Sequence, residues 1–247
     1  MKILAIDCSA TAASVALFDN DKMLGEYFMN IKTTHSQTLM PMVTHLLKMV
    51  KVPFEEIDRF AISSGPGSFT GIRIGISAVK GMAFPGNTKC VSVSTLSSMA
   101  YNMSGTDCIV CSVMDARCQQ VYAALFSSEN GKIKRLTNDA AMPISELFDE
   151  ICRISKLTEY KTRSIMVVGD GTDLFLSFCN GRVKNIFAAP PHLKYSTAAG
   201  VGLAALSGEE AAVVDPCDLT PTYLRLPQAE RELKSKTEAL NGRTEKN

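Results

Sequence analysis

The sequence predicts an α/β protein of two duplicated lobes, each a mixed sheet flanked by helices, and three observations carry that expectation. Short β-branched and aromatic runs are grouped, and stretches with apolar residues at helical spacing follow them. An apolar run ending in Asp, a polar turn and a second apolar run occur at residues 2–17 and again at 108–125, with the same spacing from the aspartate to the Ala-Leu pair. The 247 residues, 46% hydrophobic and 21% charged, also suffice for a sizeable core in one large or two small domains.

In chain order, strands are expected at Lys2 to Cys8, Ala13 to Phe18 and Leu24 to Asn30, forming a meander. Leu39, Val43, Leu46 and Val50 then recur at helical spacing from Thr38 to Lys51, with Pro41 tolerable if it falls in the opening turn. A strand at Arg59 to Ser63 runs into Gly65-Pro66-Gly67, and a second helix from Thr70 to Phe84 stops at Pro85-Gly86. The later half repeats the style, with strands at Cys108 to Asp115, Val121 to Phe126 and Ile165 to Gly169 and helices at Ile144 to Ile154 and Ser196 to Leu206. The expected division is a first lobe at 1–103, a second at 104–227, and a polar, charged tail at 228–247 outside the fold.

The paired hairpins resemble the actin, hexokinase and Hsp70 (ASKHA) fold, in which two such turns grip ATP phosphates and the strand-end carboxylates organise a metal. Backbone amides in tight turns bind anions well, and glycine normally permits the close approach. Here Ser9 and Arg117 stand two places past Asp7 and Asp115, where that pattern has glycine, so a degraded nucleotide cleft is expected. Gly169 and Gly171 either line the same pocket or simply turn the chain into the next helix.

Gly65-Pro-Gly-Ser-Phe-Thr-Gly-Ile-Arg-Ile-Gly75 joins a buried strand to a helix, with glycines for a sharp turn and close packing. A dinucleotide fingerprint would need its third glycine one place earlier and an acid some twenty residues on; no Asp or Glu occurs from Phe60 to Thr106. Gly-Lys-Ser and Gly-Lys-Thr are absent too, which removes a P-loop. As a whole, the string Gly65, Gly67, Ser68, Phe69, Thr70, Gly71, Arg73, Gly75 resembles the signature of the TsaB (YeaZ) family. The opening KILAIDCS, the His35-to-Met42 segment, Val93-Ser-Thr-Leu, Asp115-Ala-Arg and Pro221-Thr-Tyr-Leu-Arg225 match that family in order, covering residues 1 to about 231.

The resemblance implies a cytoplasmic, non-catalytic subunit that supports TsaD, with the ATPase TsaE, in threonylcarbamoyl transfer to the tRNA adenosine next to the anticodon. It implies no cofactor of the chain's own, ATP and metal being held by the partners, only indirect contact with tRNA, and a possible homodimer when TsaD is absent. A stand-alone ATP-dependent kinase, favoured by Asp7 and Asp115, and a peptidase using Ser64, Ser68 or Thr70 stay open as alternatives.

Charge and composition narrow the field further. Lys and Arg total 26 against 25 Asp and Glu, so the net charge of +1 supplies no field for gripping a polyanion. No apolar stretch approaches the roughly 18 residues of a membrane span, and the run Ile3 to Ile6 reads as a strand rather than a leader. Cys108 and Cys111 would point to opposite faces of one strand, and His35, His45 and His192 form no pair at metal-ligand spacing. The two N-terminal helices carry more apolar positions than one stripe requires. Leu39, Met40, Val43 and Leu47 on the first, and Ile72, Ile76, Val79 and Met82 on the second, are expected to form a partner interface.

Overall fold

A computed structural model describes residues 1–209 and 211–225, so the expected tail at 228–247 lies outside the described residues. The first lobe opens with strands β1 (Lys2–Asp7), β2 (Ala13–Asp19) and β3 (Lys22–Met29), then helix α1 (His35–Val50). Strand β4 (Arg59–Gly65), helix α2 (Phe69–Ala83), strand β5 (Cys90–Ser94) and helix α3 (Thr95–Tyr101) follow. The second lobe contains β6 (Cys108–Asp115), β7 (Gln120–Glu129), β8 (Lys132–Arg135), β9 (Ala140–Pro143), α4 (Ile144–Ile154), β10 (Ser164–Val168), α5 (Thr172–Cys179) and β11 (Ile186–Ala188). Helix α6 (Ala198–Ser207) and strand β12 (Ala211–Val214) complete the order.

The two sheets share a five-strand order, to which the first adds β12 at its edge and the second adds β9 paired with β7. The first runs β12-β5-β4-β1-β2-β3 and the second β11-β10-β6-β7-β8, each with an antiparallel hairpin beside parallel neighbours. Alternation along β1 explains the layering. Ile3 and Ala5 face a core shared with Val110, Ala124 and Phe126 of the second sheet, whereas Leu4 and Ile6 face a separate core under α1 and α2. Helices α3 and α6 fill the shared layer, and α4 and α5 cover the far side of the second sheet. Cys108 and Cys111 do lie on opposite faces, one in the shared core and one under α4, and all eight cysteines are free thiols.

Strands β5, β8, β9 and β11 are additional to the sequence expectations, and three further features depart from them. Helix α1 begins at His35, so Pro41 sits well inside it rather than in its opening turn; its ring points outward, where a lost backbone hydrogen bond is least costly. Helix α3 is buried along all seven residues and carries no amphipathic stripe by which periodicity could find it. Residues 198–214, expected with the later lobe, belong physically to the first sheet: β12 pairs antiparallel with β5, and α6 packs on β1 and β2. Among the described residues, no helix is long and apolar enough to cross a membrane.

Candidate functional site

The two hairpin turns and the glycine-rich loop face one another across a cleft of about 680 Å³. Its walls include Ser9, Ser68, Thr70 and Gly71 from the first lobe and Asp115, Arg117, Tyr122 and Asp170 from the second, with Tyr223 and Arg225 at one end.

Asp7 ends β1 at 1% exposure and lies beneath the first turn. One carboxylate oxygen accepts the Ser9 amide at 3.1 Å; the other, like the Ser9 hydroxyl, is buried without a hydrogen-bond partner among the described residues. In the second hairpin, Asp115 accepts the Arg117 amide at 2.7 Å, and its own amide donates to Asp170 at 3.2 Å. That hairpin is one residue shorter: Asp7 pairs with Ser14, but Asp115 pairs with Val121. The turn closes through three consecutive left-handed residues, Arg117, Cys118 and Gln119, with φ of 66°, 54° and 59°. The Asp170 carboxyl is pushed above its usual range, first by desolvation and then by the neighbouring Asp115 charge.

The signature glycines serve the chain's own packing. A Cβ at Gly67 would lie 2.2 Å from the Ser9 carbonyl oxygen, and one at Gly71 would lie 2.1 Å from that of Cys8. The loop therefore presses against the first hairpin, and the Ser68 amide donates to Ser9 at 2.7 Å. Ser68 also caps α2 by accepting the Gly71 amide, while Ser64 donates to the Val93 carbonyl and accepts from Ser92. Gly65 packs against Thr222 and Gly75 against Ile62. Of the residues expected at the cleft from the second glycine turn, Gly169 and Gly171 pack on β6, and it is Asp170 between them that reaches the cavity.

Arg73 stands on the rim, its guanidinium 3.8 Å above the Phe69 ring and its Nε donating to the Tyr223 hydroxyl at 2.7 Å. Tyr223 in turn stacks on Phe69 with centroids 5.0 Å apart. Sequence reasoning missed Lys32, Tyr122, Asp170, Tyr223 and Arg225 as cleft residues; for the last two the Pro221-to-Arg225 string was the available signal. Two of the three histidines are engaged locally, His35 with the Ala10 carbonyl at 2.8 Å and His45 stacked on Tyr27.

Behind the cleft, Glu26 of β3 accepts the Ala199 amide at 2.9 Å, satisfying a donor in the first turn of α6. Burial raises its carboxyl above the usual 4.5, the Ala199 amide opposes that shift, and the Asp7 charge adds to it. A raised folded-state value means the native protein holds this proton more tightly than the unfolded chain. The stabilisation is thus complete at low pH and fades as pH rises from the unfolded value through the folded one. Glu26→Gln is expected to flatten the fall in urea midpoint above pH 4.5; an unchanged slope would contradict this reading.

The expected partner interface is corrected by burial. Leu39, Val43, Leu47, Ile72, Ile76, Val79 and Met82 are all buried in the core between the first sheet and its two helices, because α1 and α2 pack on each other as well as on the sheet. Of the eight residues, Met40 alone is exposed, at 42%. What faces solvent instead is an apolar groove of about 410 Å³ along α1, bounded by Met40, Thr44, Lys48, Val52 and Phe54 and floored by Val43 and Leu47.

Comparison with known proteins agrees with this architecture. The family model described as TsaD, tRNA N6-adenosine threonylcarbamoyltransferase, matches residues 24–235. The tRNA threonylcarbamoyladenosine biosynthesis protein TsaB of Bacillus subtilis is 29% identical over 93% of this chain and 96% of its own length. The Escherichia coli TsaB is 38% identical over 53% of this chain and 58% of its own. The structure of YeaZ from Pseudomonas aeruginosa superimposes with a TM-score of 0.70 at 26% identity, covering 90% of this chain and 99% of that one. Two matching hairpin lobes, a signature loop wedged against the first of them, and relatives that agree along nearly the whole length lead to one assignment: the chain belongs to the TsaB (YeaZ) family of tRNA threonylcarbamoyladenosine biosynthesis proteins and has the ASKHA fold.

Proposed function

We propose that this chain is the non-catalytic subunit that docks and supports a TsaD-type subunit during threonylcarbamoyl transfer to the tRNA adenosine next to the anticodon. The observation that carries the reading is the groove of about 410 Å³ between α1 and residues 51–54, an apolar channel on a helix whose inner face is already committed to the core. Surface of that kind, with a methionine able to repack on its edge, suits a protein partner. The match of a TsaD family model to this chain supports a partner of related fold, and related subunits can pair through corresponding faces, as two copies of one chain do. A cleft whose glycines are filled by the chain's own backbone is consistent with a supporting role.

Titration calorimetry of the chain with a purified TsaD-type protein tests this. Met40→Asp places a charge on the groove edge and is expected to weaken binding at least about tenfold, the effect of roughly 1.4 kcal/mol, while leaving the melting temperature unchanged. Unaltered affinity would rule out the groove as the docking site. The alternative of a free-standing kinase is favoured by Asp115 and Asp170, which line the cleft, with Asp7 buried beneath its first turn. Binding of Mg-ATP by the isolated chain in the same calorimeter would support the kinase instead.

A further inference from the structure

The cleft is joined at its floor and open at its mouth. The floor is continuous apolar packing from sheet to sheet, reinforced by Ser98 with Ser196 at 2.9 Å and by Ser112 donating to the Leu96 carbonyl at 2.7 Å. At the mouth, the hairpin turns and the signature loop bond within their own lobes. Across the mouth the Arg225 guanidinium donates to the Ala116 carbonyl at 2.5 Å, and at the end of β5 Ser94 donates to Asp139 of the second lobe.

Arg225 belongs to a short segment anchored on the first lobe at three points. The Thr222 amide donates to the Ser64 carbonyl at 2.8 Å, Tyr223 stacks on Phe69, and the Arg73 guanidinium holds the Tyr223 hydroxyl at 2.7 Å. Gly65 leaves room for this path, since a Cβ there would stand 2.3 Å from the Thr222 carbonyl oxygen. From those anchors Arg225 reaches the second hairpin next to the left-handed turn at Arg117.

We propose that residues 222–225 are a clasp that sets how far the cleft opens, with the shared core as the hinge and Arg225 as the catch. A hydrogen bond from a charged guanidinium is stronger than a neutral one, and it acts at the mouth, where a small rotation about the floor gives the largest displacement. The anchor on Arg73 also ties the clasp to α2, so a disturbance of that helix reaches the second lobe through Tyr223. This follows from the chain's own contacts and stands whether or not the groove along α1 binds a partner.

The test is a pulsed-EPR distance between the lobes in the full chain. Spin labels are placed at Ser77→Cys on α2 and Ser145→Cys on α4, both exposed, after serine replaces Cys118, Cys152 and Cys217; the other five thiols are buried. The parent is expected to give one narrow distribution. Arg225→Ala should shift it to longer distance by roughly one residue length, about 3.5 Å, and broaden it. Tyr223→Ala, which removes an anchor and leaves the catch, should move it in the same direction. Distributions that superimpose on the parent in either variant overturn the proposal, as does a parent distribution already as broad as the variants.

Discussion

Gly71→Ala is expected to lower the stability of the chain by about 3 kcal/mol, the upper end for forcing atoms into a packed site, and its melting temperature by roughly 6 to 12 °C for a domain of this size. The added methyl would stand 2.1 Å from the Cys8 carbonyl oxygen and 3.2 Å from the His35 ring. The ring can rotate aside, but the carbonyl is fixed by the β1–β2 hairpin on one side and the capped start of α2 on the other. Relief requires α2 to retreat from the hairpin, which would also stretch the Ser68–Ser9 contact in the first-lobe wall of the cleft. Gly81→Ala on the same helix is the control. Nothing lies within 4 Å of a Cβ there, and the gain in helix propensity should stabilise by up to about 1 kcal/mol. Calorimetric melting of both variants decides the matter, and equal melting temperatures would contradict the packing role given to the signature glycine.

Ile76→Asp should unfold the chain rather than loosen a complex. Ile76 is 5% exposed on the inner face of α2, in the core that also holds Leu4, Val43 and Leu46. A carboxylate there either ionises in an apolar surround or takes up a proton to avoid doing so. With the lost packing, the cost is about 4 kcal/mol or more. That is a large part of the roughly 5 to 15 kcal/mol by which domains are stable. Urea unfolding of the free chain reads this directly. Wild-type stability in Ile76→Asp would return the residue to a solvent-facing interface, where the apolar pattern of the sequence places it. Together with Met40→Asp, this variant separates a residue that holds the fold from one on the surface.

Most strands and four helices were legible because their side chains declare a face. The alternation in β1 and β2 and the helical spacing of Leu39, Val43 and Leu46 follow from geometry that needs no partner to be visible. The duplication was legible as well, since both hairpins repeat one pattern of apolar run, aspartate and turn. Elements without a face escaped: α3 is buried on every side, and β12 is a four-residue edge strand whose place depends on β5. At the site, Ser9, Asp115 and Arg117, with Asp7 beneath them, follow from the hairpin pattern, whereas Asp170 lies between two turn glycines and belongs to no repeated pattern.

By itself, the sequence determined the class of fold, the doubled lobe, the family and the segments that turn the chain, because each is written in local periodicity or in a contiguous string. Tertiary structure alone decided which apolar positions on α1 and α2 are covered, that the signature glycines answer to backbone carbonyls of a distant hairpin, and that Arg225 reaches Ala116. The reason is that burial and close approach are properties of pairs of surfaces, and a residue's own type and spacing cannot say which surface will lie against it.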